Sequence, residues 1–221
     1  MLIHARLSET RVNGPGKRAI IWVQGCLLNC PGCFNTETHN PNPGHPCWED
    51  NEYLAKWIET EARANNLEGL TWSGGEPMHQ AQNVLAVSQQ VREAIPNFSI
   101  GMFTGYSLKE LEAGQYQTLC ITEEGKAVIE TSANKPYTSK VATWNLLSTY
   151  YLDFAIMGRY MRGRPDNRPL SSSTNQEFRL FSNRYTLADF TQQQTEITID
   201  ETGLVQVTGF PAPNFDLVRE V

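Results

Sequence analysis

The chain carries no surplus of basic residues, which argues against a nucleic-acid partner. Its 221 residues include 18 Lys and Arg against 24 Asp and Glu, a formal net charge of −6. Proteins that bind a phosphate backbone need clustered cations, and this composition provides no such electrostatic footprint. We therefore expect that the protein binds no nucleic acid.

The sequence also lacks a long apolar run. Stretches such as Ala19 to Val23 are far shorter than the roughly 20 residues that a membrane-spanning helix needs. The first residues do not show the basic, apolar and small-residue order of a secretory signal. These absences predict no membrane partner and a cytoplasmic location.

Cysteine is too scarce for a disulfide scaffold. The chain has five cysteines, and three of them, Cys26, Cys30 and Cys33, lie within eight residues. That spacing is too tight for mutual disulfides in an ordinary fold, so it indicates a metal site in a reducing compartment. Cys47 and Cys120 are interpreted as small, partly buried apolar side chains.

Strand-like and helix-like patterns alternate over the first half of the chain. This order predicts parallel strands joined by right-handed crossovers, the pattern of an α/β fold. Asp50 and Ser107 are predicted helix N-caps. The predicted strands are Arg18 to Gln24, Leu70 to Ser73 and Phe98 to Phe103, and helices are expected from apolar positions after Asp50, after Pro77 and after Ser107.

The alternation is interrupted and then resumes. A hairpin insertion is predicted at about residues 115–131, turning at Glu123 to Gly125, with a loop at Asn134 to Pro136. A helix near Val141 to Tyr150 and strands at Tyr151 to Met157 and Glu177 to Phe181 follow. Alternating apolar residues around Asp200 to Gly203 predict a second hairpin. We therefore expect a core domain of residues 1–181 and an extension of residues 182–221.

Three thiolates in one loop suit zinc, Cu(I) or an iron–sulfur cluster. Structural zinc needs a fourth ligand, and His39, His45 or Cys47 could provide it. A cubane cluster held by three cysteines instead leaves one iron open to a substrate or cofactor. The residues alone therefore leave two classes open, a redox enzyme and a binding module with structural zinc or a passive cluster.

Two motifs together resemble a known superfamily. The cysteine loop with an aromatic after its last cysteine, followed by Gly74 to Pro77 at the end of the next strand, resembles the radical S-adenosylmethionine (SAM) enzymes. Within them it is most similar to the activating enzymes of anaerobic ribonucleotide reductase. Val12 to Gly16, Thr104 to Tyr106 and Ser173 to Gln176 are further shared stretches. The resemblance implies an incomplete parallel β/α barrel carrying the two hairpins as additions.

The resemblance also implies the cofactors and the residues that hold them. Cys26, Cys30 and Cys33 would bind a [4Fe–4S] cluster whose fourth iron binds SAM, and no further catalytic side chain is required. Gly74 and Gly75 would let the backbone approach SAM, while the Glu76 carboxylate would accept from its ammonium group. The implied cofactor-binding residues are Gly32, Cys33, Phe34, Gly74, Gly75, Glu76 and Thr104.

Two other groups of residues are interpreted without the cofactor. Asn13 to Gly16 is either a simple turn or a segment that helps to shape the site or a docking surface. The four histidines show no paired metal spacing and are interpreted as solvated or capping residues. They are His4, His39, His45 and His79.

The implied reaction is reductive cleavage of SAM to methionine and a 5′-deoxyadenosyl radical. That radical would take a hydrogen from a glycine of the anaerobic ribonucleotide reductase large subunit. A reduced flavodoxin or ferredoxin is the implied electron donor. The hairpin insertion and the extension leave a second hypothesis open, namely a radical SAM enzyme that acts on another protein or on a small molecule such as a deazapurine precursor.

Overall fold

The computed structural model describes residues 1–45, 47–122, 125–130, 138–190, 194–199, 203 and 205–210. The strands are β1 (Ile3–Thr10), β2 (Arg18–Val23), β3 (Gly69–Gly74), β4 (Ser99–Thr104), β5 (Leu119–Ile121), β6 (Ala127–Ile129), β7 (Phe154–Met157), β8 (Glu177–Leu180), β9 (Thr195–Ile199) and β10 (Val205–Gly209). The α-helices are α1 (Asn51–Asn65), α2 (Ala81–Ala94), α3 (Leu108–Glu112) and α4 (Thr138–Leu146). A 3₁₀ turn (Pro77–Gln80) precedes α2, and a π-helical turn (Leu147–Tyr151) continues α4.

A six-stranded sheet in the order β1-β2-β3-β4-β7-β8 organises the fold. Its central strands β2, β3, β4 and β7 are parallel, whereas β1 and β8 pair antiparallel at the two edges. The mixed α/β architecture with a parallel core is thereby confirmed. The antiparallel edges differ from an all-parallel expectation, and β1 was missed although Ile3 to Ser8 alternate apolar and polar residues.

Helices α1 and α2 cover one face of the sheet. Leu54, Ile58, Val84 and Val91 are fully buried there. As predicted, Asp50 caps α1: its carboxylate accepts from two backbone N–H groups in the first turn. Such a cap stabilises a helix by about 1 kcal/mol. The apolar spacing that predicted these helices therefore also defines the surface that they bury.

The opposite face of the sheet carries a second apolar cluster. Phe154 and Ile156 of β7 pack there with Leu170 and Phe190, and Phe210 packs against them from the C-terminal side. The ring centroids of Phe154 and Phe190 lie 5.1 Å apart with the rings nearly perpendicular, an arrangement favoured by aromatic quadrupoles. Residues of the extension beyond 181 therefore pack directly on the core sheet.

A buried arginine connects strands on this second face. Arg18 has no exposed surface, and its guanidinium donates to Thr71 Oγ1, Pro15 O and Leu70 O at 2.8–3.0 Å. The guanidinium carbon also lies 5.0 Å from the ring centroid of Phe154. A buried charge is tolerated only when it is hydrogen-bonded in this way. Burial lowers the pKa of Arg18.

The Asn13 to Gly16 stretch lies at the edge where β2 begins. Asn13 Nδ2 donates to Thr208 Oγ1 at 2.7 Å, and Thr10 Oγ1 donates to Glu196 at 2.6 Å. These bonds tie the C-terminal hairpin to the N-terminal part of the sheet. The cysteine loop leaves the other end of β2, about 17 Å away for a strand of this length. This turn and the cysteine loop therefore lie at opposite ends of β2, and a role of the turn in a docking surface stays a prediction.

Both predicted hairpins are present as antiparallel pairs, β5 with β6 and β9 with β10. The predicted turn residues Glu123, Glu124 and Asp200 to Thr202, and the predicted loop at Asn134 to Pro136, lie outside the described residues. In the described part of the chain, no helix combines the length and the apolar character needed to cross a bilayer.

Candidate iron–sulfur and cofactor site

The cysteine loop leaves the carboxyl end of β2, the edge where parallel strands present their ligands. Cys26 is buried, Cys30 and Cys33 are half-buried, and all three are free thiols. Gly32 has a φ of +76°, a conformation that glycine adopts without steric cost. Together with the Cys33 N–H bond to Cys30 O at 3.1 Å, this turn folds the second half of the loop back on itself.

Both ends of the loop are fastened to the Gly-Gly-Glu turn after β3. The backbone N–H of Glu76 donates to Gly25 O at 3.0 Å, just before the first cysteine. The Asn35 side chain donates to Gly74 O at 3.3 Å, just after the last cysteine. The two motifs that the sequence singled out therefore form one structural unit, although about 40 residues separate them.

The donor set fits an iron–sulfur cluster. Within the described ranges, no three His, Cys, Asp or Glu side chains converge tightly enough to hold a single metal ion. A cubane spreads its thiolates over several irons and needs no such tight convergence. Burial, with a contribution from Glu76, raises the pKa of Cys26 to about 12, and burial also raises the pKa of Cys33. A bound metal reverses that effect, because it deprotonates the thiols that coordinate it.

Glu76 is directed into the fold, where it joins the ends of β3 and β4. Its side chain accepts from Thr104 Oγ1 at 2.7 Å, Gly105 N at 2.7 Å and Met78 N at 2.9 Å. The residue is 1% exposed. Burial raises the pKa of Glu76 to about 7, although these three donors oppose the shift. Glu76 and Thr104 therefore hold each other in place, and three of the roughly four acceptor positions of the carboxylate are occupied.

The two glycines of the turn lie against neighbouring backbone. Gly74 has a φ of +97°, and a Cβ there would lie 2.5 Å from Trp22 Cα and Val23 N. A Cβ on Gly75 would lie 2.5 Å from Gly25 O. Both positions thus require glycine for the close approach of β3 to the start of the cysteine loop.

A cavity of about 760 Å³ opens beside the cysteine loop. Phe34, 44% exposed, does not line the cavity itself, but its ring centroid lies 5.4 Å from that of Tyr160, which does. Gly32 lies against the side chain of Arg162. The volume is within the range of small-molecule sites. The lining residues are Leu28, Cys30, Pro31, Ser107, Glu110, Gly158, Arg159, Tyr160, Met161, Arg162, Gly163 and Asn175.

An ion pair forms one wall of this cavity. Arg159 lies 3.0 Å from the Glu110 carboxylate and 5.5 Å from the ring centroid of Tyr106. Glu110 also completes the capping box of α3 with Ser107. Desolvation works against ionisation, but the hydrogen bonds from Arg159 and Ser107 lower the pKa of Glu110 to about 2. The wall therefore keeps its paired charges at neutral pH.

This depressed pKa predicts a loss of stability in acid. The folded chain holds Glu110 ionised below the ordinary carboxyl pKa of 4.5, so the unfolded chain binds more protons in that range. The contribution of ionised Glu110 to the free energy of unfolding is therefore complete above pH 4.5 and is lost as the pH falls towards 2. Denaturant unfolding of the Glu110→Gln variant should consequently depend less on pH between 5 and 2 than that of the wild type. The exposed Glu112→Gln variant is the control, and an equal pH dependence in all three proteins would contradict the prediction.

Three residues around the loop were missed from the sequence or interpreted wrongly. Asn35 was missed, although its place directly after Cys33 and Phe34 was a local signal. His79 was interpreted as solvated or capping, yet it is fully buried and accepts from Leu27 N at 3.0 Å. Tyr106, also buried, accepts from Gln117 N at 3.0 Å. These contacts join segments that are distant in sequence, and local patterns do not encode them.

Comparison with known proteins identifies the family to which this chain is similar. Residues 12–179 match the family model described as 4Fe-4S single cluster domain. That match includes the cysteine loop, the Gly-Gly-Glu turn and the central strands. It leaves out the whole of β1 and the chain after Arg179, the third residue of β8.

Several relatives share one name, anaerobic ribonucleoside-triphosphate reductase-activating protein. The relative from Salmonella typhimurium is 37% identical over 112 residues, which cover 49% of this chain and 71% of the relative. The relative from Escherichia coli K12 is 35% identical over the same coverage. The relative from Enterobacteria phage T4 is 30% identical over 115 residues, covering 50% of this chain and 72% of its own length.

Proposed function

We propose that the chain cleaves SAM reductively and generates a glycyl radical on anaerobic ribonucleoside-triphosphate reductase. The chain belongs to the family of 4Fe–4S single cluster domains and to the radical SAM activating proteins of that reductase. The observation that carries the proposal is the fastening of a three-thiol loop, at both ends, to the Gly-Gly-Glu turn. This unit lies at the carboxyl edge of the parallel strands, beside the large cavity.

The proposed cluster ligands are Cys26, Cys30 and Cys33. When bound, the [4Fe–4S] cluster would supply the single electron that cleaves the sulfonium bond of SAM, with methionine and, after hydrogen transfer, 5′-deoxyadenosine as products. The chain supplies three soft ligands from one loop and none from the Gly-Gly-Glu turn. One iron therefore stays open for SAM, as catalytic metals generally keep an open position.

The proposed SAM contacts extend from the Gly-Gly-Glu turn to the cavity. The backbone of Gly74 and Gly75 would face the methionyl part, and Gly32 and Phe34 the nucleoside part. Glu76 and Thr104 would act mainly by fixing the ends of β3 and β4, since the Thr104 hydroxyl donates to the Glu76 carboxylate. A contact between Glu76 and the ammonium group of SAM would use the acceptor position that the protein leaves free.

The cavity also suits a protein substrate. Its wall is formed by the loop that follows β7, and exposed side chains such as Met161 and Arg162 line it. An open site can admit a backbone segment that a closed small-molecule pocket would exclude. We further propose that the sheet curves as an incomplete barrel around this cavity. We also propose that the protein is cytoplasmic, since free thiols need a reducing compartment. A reduced flavodoxin or ferredoxin is the proposed electron donor.

Anaerobic reconstitution followed by two assays tests the proposed function. With SAM and a reductant, the protein is expected to hold about four iron and four sulfide per chain and to release methionine and 5′-deoxyadenosine. With the reductase large subunit added, electron paramagnetic resonance should detect a glycyl radical. SAM cleavage without that radical would overturn the assignment of the reductase and favour another substrate. One tightly bound zinc and no cleavage would overturn the enzymatic function as a whole.

A further inference from the structure

His79 contacts the cysteine loop, although the proposed cofactor chemistry does not use its side chain. It belongs to the 3₁₀ turn that follows Glu76 and has no exposed surface. Its Nε2 lies 3.0 Å from Leu27 N, and its Nδ1 lies 2.9 Å from Gln117 O. A buried ring that merely fills space would need neither nitrogen, whereas this ring uses both.

The two partners determine which tautomer is present. A carbonyl oxygen can only accept, so Nδ1 carries the proton and donates to Gln117 O. Nε2 then keeps its lone pair and accepts the backbone N–H of Leu27. The two bonds require the same neutral tautomer, so they support each other.

These bonds link the loop to the hairpin insertion. Leu27 shares a peptide bond with Cys26, and Gln117 lies two residues before the first residue of β5. The insertion contacts the segment after the cysteine loop at a second point, where the Asn42 side chain exchanges two 2.9 Å hydrogen bonds with the backbone of Ala127. The insertion is therefore attached to the loop region at two points, ahead of β5 and at the start of β6.

We propose that His79 is a positioning residue: it holds the first peptide of the cysteine loop, and with it the Cys26 sulfur, and connects that peptide to the hairpin insertion. The insertion thereby acquires a function of its own, as a support for the metal-binding loop. The inference rests on the proposed function only in taking Cys26 as a cluster ligand. The hydrogen bonds themselves belong to the chain without cofactor.

Three substitutions separate the two bonds. In His79→Gln the amide oxygen can reach the place of Nε2 and accept from Leu27, so the loop contact is kept. In His79→Asn the shorter amide reaches only the place of Nδ1, so the Gln117 contact is kept and the Leu27 contact is lost. His79→Leu loses both. Gln89→Asn, on the exposed side of α2, is the control for a change elsewhere on the same helical segment.

Hydrogen exchange of the Leu27 amide in the cofactor-free protein is the first measurement. Relative to the Ile100 amide, which is bonded to Asp153, Leu27 should exchange about tenfold faster in His79→Asn and His79→Leu. In His79→Gln and in the control it should stay within about threefold of the wild type. Unchanged exchange in His79→Asn, or equal acceleration of Ile100, would overturn the inference. If His79→Leu does not fold, the Asn and Gln variants still decide.

The second measurement uses the reconstituted protein. Since hydrogen bonds and ligand placement around a cluster tune its potential, His79→Asn should shift the reduction potential and speed iron loss to a chelator. His79→Gln should retain the wild-type values, which a purely structural role for the ring would not predict. If no variant and no wild-type protein binds a cluster, the proposed function fails, while the exchange of Leu27 still decides the role of His79.

Discussion

Changing Cys26, Cys30 or Cys33 to alanine, one at a time, is expected to abolish the release of 5′-deoxyadenosine. With two thiolates left in the loop, the cluster loses a third of its protein ligands, and the structure places no other cysteine in that loop. Iron content should fall from about four per chain to below about one. Iron analysis, the visible absorption of the reconstituted protein and the SAM cleavage assay measure the effect.

The remaining two cysteines are the matched controls. Cys47 and Cys120 are half-buried free thiols outside the loop, and their alanine variants should keep the iron content and nearly all of the SAM cleavage. Thermal unfolding of each cofactor-free variant separates loss of the ligand from loss of the fold. Full cluster content in any variant of the loop cysteines would show that the assigned ligand set is wrong.

A single methyl group on Gly74 is expected to have the second-largest effect. The change Gly74→Ala places a side chain at φ +97°, where its Cβ would lie 2.5 Å from the backbone of β2. The left-handed conformation alone costs about 1–2 kcal/mol, and forcing β3 away from β2 adds about 1–3 kcal/mol. Because the Gly74 carbonyl also binds Asn35, the loop should shift with the strand. We therefore expect strongly reduced SAM cleavage and a free energy of unfolding lowered by roughly 2–5 kcal/mol.

A matched change at Gly203 distinguishes the cost of the left-handed conformation from the cost of forcing β3 away from β2. Its φ of +86° resembles that of Gly74, but no described atom lies within 4 Å of the place that a Cβ would take. Gly203→Ala should thus show only the conformational cost of about 1–2 kcal/mol and retain SAM cleavage. Denaturant unfolding of both variants tests the comparison. Equal losses in the two would mean that the close approach of β3 to β2 contributes nothing.

Local signals predicted much of the fold correctly. The capping residues Asp50 and Ser107 and the apolar spacing of α1 and α2 act within a few residues, so the sequence displays them. The antiparallel edges are different, because β1 and β8 are defined by the strands that they pair with. The π-helical turn after α4 has no sequence signature that distinguishes it from the helix predicted there. The closure of the sheet into a partial barrel stays a prediction.

The candidate site was also predictable only where its parts are local. The three cysteines and Gly74 to Glu76 are short motifs, and the structure brings them together as one unit. The contacts of His79 and Asn35 span 52 and 39 residues, so they arise only from the arrangement of strands. The contacts of Glu76 with Thr104 and Gly105 arise from the arrangement of strands in the same way, and the expected contact of Glu76 with SAM stays a prediction.

The aromatic cluster on the second face of the sheet determines how far the chain can be trimmed. A recombinant chain cut after Leu180 would remove Phe190 and Phe210 and leave Phe154 and Phe178 open to water. Such a surface, next to the edge strand β8, favours self-association and aggregation. Shortened versions for crystallisation should therefore extend at least to Phe210, beyond the boundary expected from the cofactor motifs.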